Sequence, residues 1–228
     1  MVLILHIETA IETASICLAK DGVVIALDSN NQQKDHAAWI HNAIKIMMND
    51  LSYPLNSLSA VSVSAGPGSY TGLRVGMATA KGLCYTLKIP MITLNTLEIM
   101  AVAAKNKCEK EDKKTDLLVP MIDARRMEVF TAIYNSSIQN LLPPQAMVLD
   151  ENSFFGWKND HNMLIFGNGS EKCRNLLVHP NIFFENIYFD ATDMVKPTHS
   201  NFLQGIFADL AYSEPFYTKG FYSPVKKS

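Results

Sequence analysis

The sequence predicts an α/β fold built from two similar halves, each of the order βββαβαβα. Three observations carry this. Short apolar runs at residues 2–7, 14–19 and 23–27 precede the first helical period. An apolar strand ending in a carboxylate occurs twice, as Ile7-Glu8 and as Ile122-Asp123. A strand followed by Gly-x-Gly-Ser also occurs twice, at 61–65 with Gly66-Pro-Gly-Ser69 and at 163–166 with Gly167-Asn-Gly-Ser170.

The second and third runs are joined by Lys20-Asp-Gly22, a hairpin signal because both turn residues tolerate positive φ. Helical spacing follows over 35–51, then a strand at 58–65, a helix over 72–87, a strand at 91–95 and a helix from Thr96. Residues 105–116 hold nine charges in twelve, of both signs, which suits a solvated connection. The expected division is therefore a first half at 1–104, the connection at 105–116 and a second half at 117–228. In the second half, strands are expected over 117–123, 127–134, 138–149 and 163–166, the last followed by a helix.

Composition narrows the function. The chain of 228 residues has 48% apolar residues, enough for a sizeable core, and 20 Lys+Arg against 22 Asp+Glu. A net charge of −2 removes the broad positive field on which a stand-alone nucleic-acid binder relies. Cys17, Cys84, Cys108 and Cys173 form no Cys-x-x-Cys, and the opening run reaches Glu8 too soon for a signal peptide or membrane span. A cytoplasmic chain with no membrane association is expected.

The loop Gly66 to Gly72 has two readings. Glycines followed by a helix start can cradle a phosphate, and Ser69 or Thr71 can simply cap the helix after a tight turn. No Gly-Lys-Ser/Thr follows, and Gly68-Ser-Tyr-Thr-Gly72 carries Tyr70 where a Gly-x-Ser-x-Gly nucleophile elbow needs its serine. His36 and His41 are five apart, about 140° around a helix, and do not share a metal easily. No metal or cofactor is expected. Glu8, Glu12, Asp123 and Glu128 are candidate cleft carboxylates, and Arg125 and Arg126 are either anion contacts or an ordinary surface pair.

The helices are more informative. On 36–51, Ile40, Ile44, Met47 and Leu51 form one stripe, widened by Trp39, Ala43, Ile46 and Met48 to an arc of about 200°. On the next helix Gly72, Gly76, Ala80 and Cys84 recur every four residues, a ridge of small side chains along which another helix can approach, flanked by Met77, Leu83 and Leu87. Packing on the chain's own sheet and contact with a partner both satisfy these patterns.

A repeated βββαβαβα unit is the arrangement of the actin-like, RNase H-like fold of sugar kinases, Hsp70 and actin. The stretch 65–83, Ala-Gly-Pro-Gly-Ser-Tyr-Thr-Gly-Leu-Arg-Val-Gly-Met-Ala-Thr-Ala-Lys-Gly-Leu, resembles the signature of the TsaB (YeaZ) family. Ile4-Leu-His-Ile-Glu-Thr9, His36, Ile89-Pro-Met-Ile92, Asp123-Ala-Arg-Arg-Met-Glu-Val-Phe130 and Pro215-Phe-Tyr217 are further matches. The resemblance implies a non-catalytic subunit of the bacterial machinery that makes threonylcarbamoyladenosine in tRNA. It implies pairing with a TsaD-like transferase, assembly with a TsaE-like ATPase, at most indirect contact with tRNA, and a homodimer when the chain is alone.

The resemblance places the partner interface on the first two helices, at His36, Trp39, Ile40, Ala43, Ile46, Met47, Gly72, Arg74, Val75, Gly76, Met77, Thr79, Ala80 and Leu83. It makes Glu8, Gly66, Gly68, Ser69, Asp123, Gly167 and Gly169 a degenerate nucleotide cleft. The sequence departs from the family pattern at Glu8, commonly Asp, and at Ala10, commonly Ser. The rival reading is an actin-fold nucleotide-binding enzyme, a kinase, ATPase or glycoprotease-like peptidase, using Glu8, Asp123 and the glycine loops. A general interaction module with another partner is the third.

Overall fold

The computed structural model describes residues 1–32 and 35–217. The first half holds β1 (Leu3–Glu8), β2 (Ala14–Lys20), β3 (Val23–Asn30), α1 (His36–Asp50), β4 (Ala60–Ser64), α2 (Tyr70–Leu87), β5 (Met91–Leu94) and α3 (Thr96–Lys110). The second holds β6 (Leu117–Asp123), β7 (Glu128–Asn135), β8 (Asn140–Val148), α4 (Phe155–Lys158), β9 (Met163–Phe166), β10 (Ile182–Glu185) and α5 (Val195–Leu203).

The strands form two five-stranded sheets, ordered β3-β2-β1-β4-β5 and β10-β9-β6-β7-β8. Read from the opposite edge, the second repeats the first. In both, the first three strands pair antiparallel, and the first, fourth and fifth pair parallel. Asp21 and Gly22 take φ of 50° and 78° in the β2–β3 turn, as a two-residue hairpin turn requires.

The repetition stops at the helices. Where the first half has α1 and α2, of 15 and 18 residues, the second has the four-residue α4 and a 3₁₀ turn at Ser170–Cys173. The helix expected after Gly167-Asn-Gly-Ser170 is that single 3₁₀ turn. The segment 105–116 comprises the last turns of α3 and the link to β6.

Alternation along β1 sets the layers. Leu3, Leu5 and Ile7 face α1 and α2 in a core with Ile40, Ile44, Met48, Met77 and Ala80. Ile4, His6 and Glu8 face the other way, toward α3, α5 and the 3₁₀ turn Ala191–Met194. α3 is shared: Ile99 packs with Cys17 and Leu94 of the first sheet, while Leu97, Met100, Ala104 and Cys108 pack with Leu118, Ile122 and Phe166 of the second.

After β10 the chain returns to the first sheet. The 191–194 turn lies on β1 and β2, α5 sits beside β5, and the Thr198 and Ser62 hydroxyls meet at 2.8 Å. A strap then follows the flank of α2. Ala208 N–H donates to the Met91 carbonyl at 2.8 Å, Lys81 Nζ to the Ala211 and Ser213 carbonyls at 3.2 and 2.9 Å, and Phe216 N–H to Ala65 at 2.6 Å. Part of the expected second half at 117–228 thus packs on the first sheet.

The ridge at Gly72, Gly76, Ala80 and Cys84 faces inward. A Cβ at Gly72 stands 2.0 Å from the Thr9 carbonyl oxygen, and one at Gly76 stands 2.3 Å from Thr9 Oγ1. The helix that the ridge admits is α2 itself, laid against β1. Gly76→Leu is therefore expected to overpack the core and lower stability by roughly 1–3 kcal/mol or more, read as a drop in the urea midpoint at unchanged slope. An unchanged midpoint would mean that α2 does not depend on this contact.

Candidate functional site

The strand ends and glycine loops converge between the halves. At the end of β1, Glu8 is fully buried and one carboxyl oxygen accepts the Ala10 amide at 2.6 Å. At the equivalent end of β6, Asp123 accepts the Arg125 amide at 2.5 Å and the Lys172 ammonium. The two carboxyls are shifted in opposite directions. Burial pushes Glu8 up to about 7, while the Lys172 ammonium holds Asp123 below the usual carboxylate range.

Each glycine loop packs on its own strand end. Ser69 N–H donates to the Ala10 carbonyl at 2.6 Å, and a Cβ at Gly68 stands 2.3 Å from that same oxygen. The Phe216 carbonyl oxygen lies 2.8 Å from the Cβ position of Gly66, closing the loop from the other side. Ser69 accepts the Gly72 amide at 3.3 Å, which selects the capping role over the phosphate role. In the second half Gly169 N–H donates to Met121 at 3.1 Å, a Cβ at Gly167 stands 2.3 Å from that carbonyl oxygen, and Asn168 accepts the Asp123 amide at 2.9 Å. The backbone donors of Ser69 and Gly169 that could meet a phosphate already hold strand-end carbonyls.

Between residues 11–13 after β1 and the second glycine loop at Gly167 and Asn168 lies a cavity of about 610 Å³. Its walls are apolar at Ile11, Met100, Ile122 and Phe189, and acidic at Glu12, Glu171 and Asp190. No lysine or arginine among the described residues lines it. Arg174 offsets Glu171 through contacts of 2.8 and 3.1 Å, and Glu12 and Asp190 stay without an ion pair among the described residues. Such walls oppose a polyphosphate. Among the described residues, no group of three or more His, Cys, Asp and Glu is placed to hold a metal ion. Lys172 holds the Asp123 carboxylate and the Glu128 main-chain carbonyl, Glu12 lines the cavity, and Glu8 is buried outside its lining, so the candidate carboxylates are not gathered at one centre.

The expected interface residues divide by burial. His36, Ile40, Ala43, Met47, Gly72, Gly76, Met77, Thr79 and Ala80 are buried within the chain. Their side chains, or the absence of one, fit α1 and α2 to the sheet. Burial depresses the His36 imidazole, opposed by the Glu12 and Ile11 backbone, so the residue seats the start of α1 beneath the cleft lip. Trp39, Val75 and Leu83 are half-buried, while Arg74 and Ile46 are exposed. Among the described residues Arg74 makes no ion pair: its guanidinium lies 4.0 Å above the Tyr70 ring, and Nε donates to Tyr217 Oη at 3.2 Å.

The outward face of α2 escaped the sequence reading. Ala78 and Gly82 are exposed, a Cβ at Gly82 meets nothing within 4 Å, and Tyr85 is 79% exposed. Their four-residue spacing was available, but the inward ridge has the same period and more members. Lys172 and Asn168, which settle Asp123, had no signal beyond lying near the second glycine loop.

A family model described as tRNA N6-adenosine threonylcarbamoyltransferase (TsaD) matches residues 23–210. Relatives named tRNA threonylcarbamoyladenosine biosynthesis protein TsaB align with it. That of Bacillus subtilis strain 168 is 29% identical over 177 residues, 76% of this chain and 74% of its own. That of Escherichia coli K12 is 34% identical over 131 residues, 58% and 54% respectively, and that of Buchnera aphidicola from Schizaphis graminum is 36% identical over 109 residues, 48% and 51%. The chain belongs to this family, on its TsaB (YeaZ) branch. The chain spans about half the length of the Escherichia coli and Buchnera TsaB relatives in these alignments.

Two Pseudomonas aeruginosa structures, one described as similar to the peptidase YeaZ and the other as YeaZ, superpose with TM-scores of 0.80 and 0.77 at 20% identity. They cover 96% and 95% of this chain and all of their own. The likeness shows that this chain has the fold of those YeaZ structures, with the two similarly ordered five-stranded sheets described above.

The filled loops and acidic walls give an expected outcome for the TsaB cleft. Calorimetric titration of the isolated chain with ATP and magnesium is expected to show no tight, stoichiometric binding. A one-to-one isotherm in the low micromolar range would mean that the loops rearrange to admit phosphate.

Proposed function

We propose that this chain is a non-catalytic subunit that supports formation of threonylcarbamoyladenosine at adenosine 37 of tRNA by pairing with a TsaD-like transferase. The observation that carries the reading is that the groups a phosphate would use are already engaged: Ser69 N–H is held by Ala10, and Asp123 by Lys172. The names of the TsaB relatives supply the process. The branch's membership in the threonylcarbamoyltransferase family supplies the partner, since a chain that shares the transferase fold offers it a similarly built surface.

The partner face that fits is the outer side of α1 and α2. Ala78 and Gly82 leave a shallow track between the larger exposed side chains of α2, Arg74 and Tyr85, and α1 contributes Ile46 and the edge of Trp39. Small residues four apart let a second helix come close, and aromatic and arginine neighbours are the residues on which interfaces concentrate their energy. A TsaE-like ATPase then joins the pair, and tRNA meets the assembly chiefly through the other subunits. A homodimer through the same face covers it when the transferase is absent. No helix among the described residues is long and apolar enough to cross a membrane. A cytoplasmic place follows from the process itself.

Two experiments test this reading. In a mixture of transferase, ATPase, threonylcarbamoyl-adenylate and tRNA, modification is expected to require the chain, and the chain alone is expected to modify nothing. Modification that proceeds equally without it sinks the subunit reading. Gly82→Leu fills open space and replaces a poor helix former, so the isolated chain is expected to gain about 0.5–1 kcal/mol while binding the transferase at least tenfold more weakly. Unaltered binding in Gly82→Leu and in Ile46→Glu places the contact elsewhere.

A further inference from the structure

The face of β1 turned from α1 and α2 carries Glu8 at the point where the returning chain crosses it. Glu8 Oε2 has no hydrogen-bond partner among the described residues, although the carboxyl is fully buried and its other oxygen accepts the Ala10 amide at 2.6 Å. Ser15, opposite Glu8 on β2, accepts the Ala191 amide at 2.9 Å and so pins the crossing turn to these strands. The residue before Ala191 is Asp190, whose charge acts on Glu8 and whose carboxylate caps the turn at the Thr192 amide, 2.7 Å away.

The polar and titratable groups of the elements that meet on this face are His6 on β1, Ser15 and Cys17 on β2, Ser64 on β4, Asp190 and Asp193 on the turn, Glu98 on α3, and Lys196 and His199 on α5. His6 has no partner for either ring nitrogen among the described residues, and burial pushes it down to about 3, while burial pushes Cys17 up to about 12. Both are neutral at ordinary pH. A fully buried carboxyl with one orphan oxygen, on a face that the turn carrying Asp190 crosses, is stable there only with its proton.

We propose that Glu8 is a proton-dependent latch on the crossing turn: protonated, it lets residues 190–194 sit between the two halves, and ionised, it repels Asp190, releases the turn and widens the cleft that Asp190 lines. Burial raises the carboxyl from 4.5 to about 7. The stabilisation of the seated turn is therefore fully present below the ordinary pKa, is lost as pH rises through 7, and changes no further above it.

Hydrogen exchange at the amides of residues 9–13 and 190–194, read as protection factors at pH 5.5 and 8, tests the latch in the parent chain and in Glu8→Gln. The ratio of opening constants, parent over variant, is expected to rise about tenfold or more across this range. His6 titrates in the opposite sense but is common to both chains, so it drops out of the ratio. A ¹³C titration of the Glu8 carboxyl in the parent chain provides a reading that depends on no variant, with a midpoint expected near 7. A flat ratio, or a midpoint in the usual carboxylate range, overturns the latch. So does an equal change at every protected amide, because Glu8 would then govern global stability and not the turn.

Discussion

The structure depends on the contact between α2 and the end of β1. Thr9 donates its hydroxyl to the Gly72 carbonyl at 2.8 Å and presents its own carbonyl to the place where a Cβ of Gly72 would stand. The helix axis can come this near only because two of its turns carry no side chain on that face. Once it does, the loop ahead of the helix is drawn onto Ala10, and Ser69 N–H turns from solvent to a backbone carbonyl. The same seating fixes which side of α2 faces outward. A closed first glycine loop and an available surface are therefore two results of one helix position.

The second half shows what becomes of the plan without those helices. Its strand order, pairing and Gly-x-Gly-Ser turn repeat the first half, yet one short helix and a 3₁₀ turn replace α1 and α2. Its outer core is closed by side chains from loops, among them Phe154, Cys173 and Leu177. Repetition in the sheets is kept by hydrogen bonding, which side chains barely alter, whereas the covering layer depends on side-chain volume and can be exchanged. The acidic strand ends diverge for a related reason. Asp123 lies close to a lysine from the 3₁₀ turn, and Glu8, on the face of β1 that the returning chain crosses, has no ion pair among the described residues.

Much of this was legible from residue order. The three opening strands, the Asp-Gly turn and the paired strand-loop echoes have strong local signals, and the structure has them where periodicity put them. The helix faces were less legible. Ile40, Ala43 and Met47 satisfy a core and an interface equally well in a one-dimensional pattern, and only the position of the sheet sends them inward. The glycine ridge was seen, but a spacing of four residues says that something comes near, not what does. Least legible was everything set by contacts distant in sequence: Lys172 on Asp123, Ala191 on Ser15, and the strap from Ala208 to Phe216.

The return of the chain from the second sheet to the first also bears on the order of assembly. Cys17, Leu94 and Ile99 form one buried cluster with Ala191, Met194 and Val195, which are synthesised nearly a hundred residues after the nearest of them. Until that late segment arrives, the rear of the first sheet is covered only where α3 lies on it. The front, against α1 and α2, can already be closed. A nascent first half thus holds a finished outer surface and an unfinished inner one, and it becomes self-sufficient only when the second half has been made and the chain has come back through it.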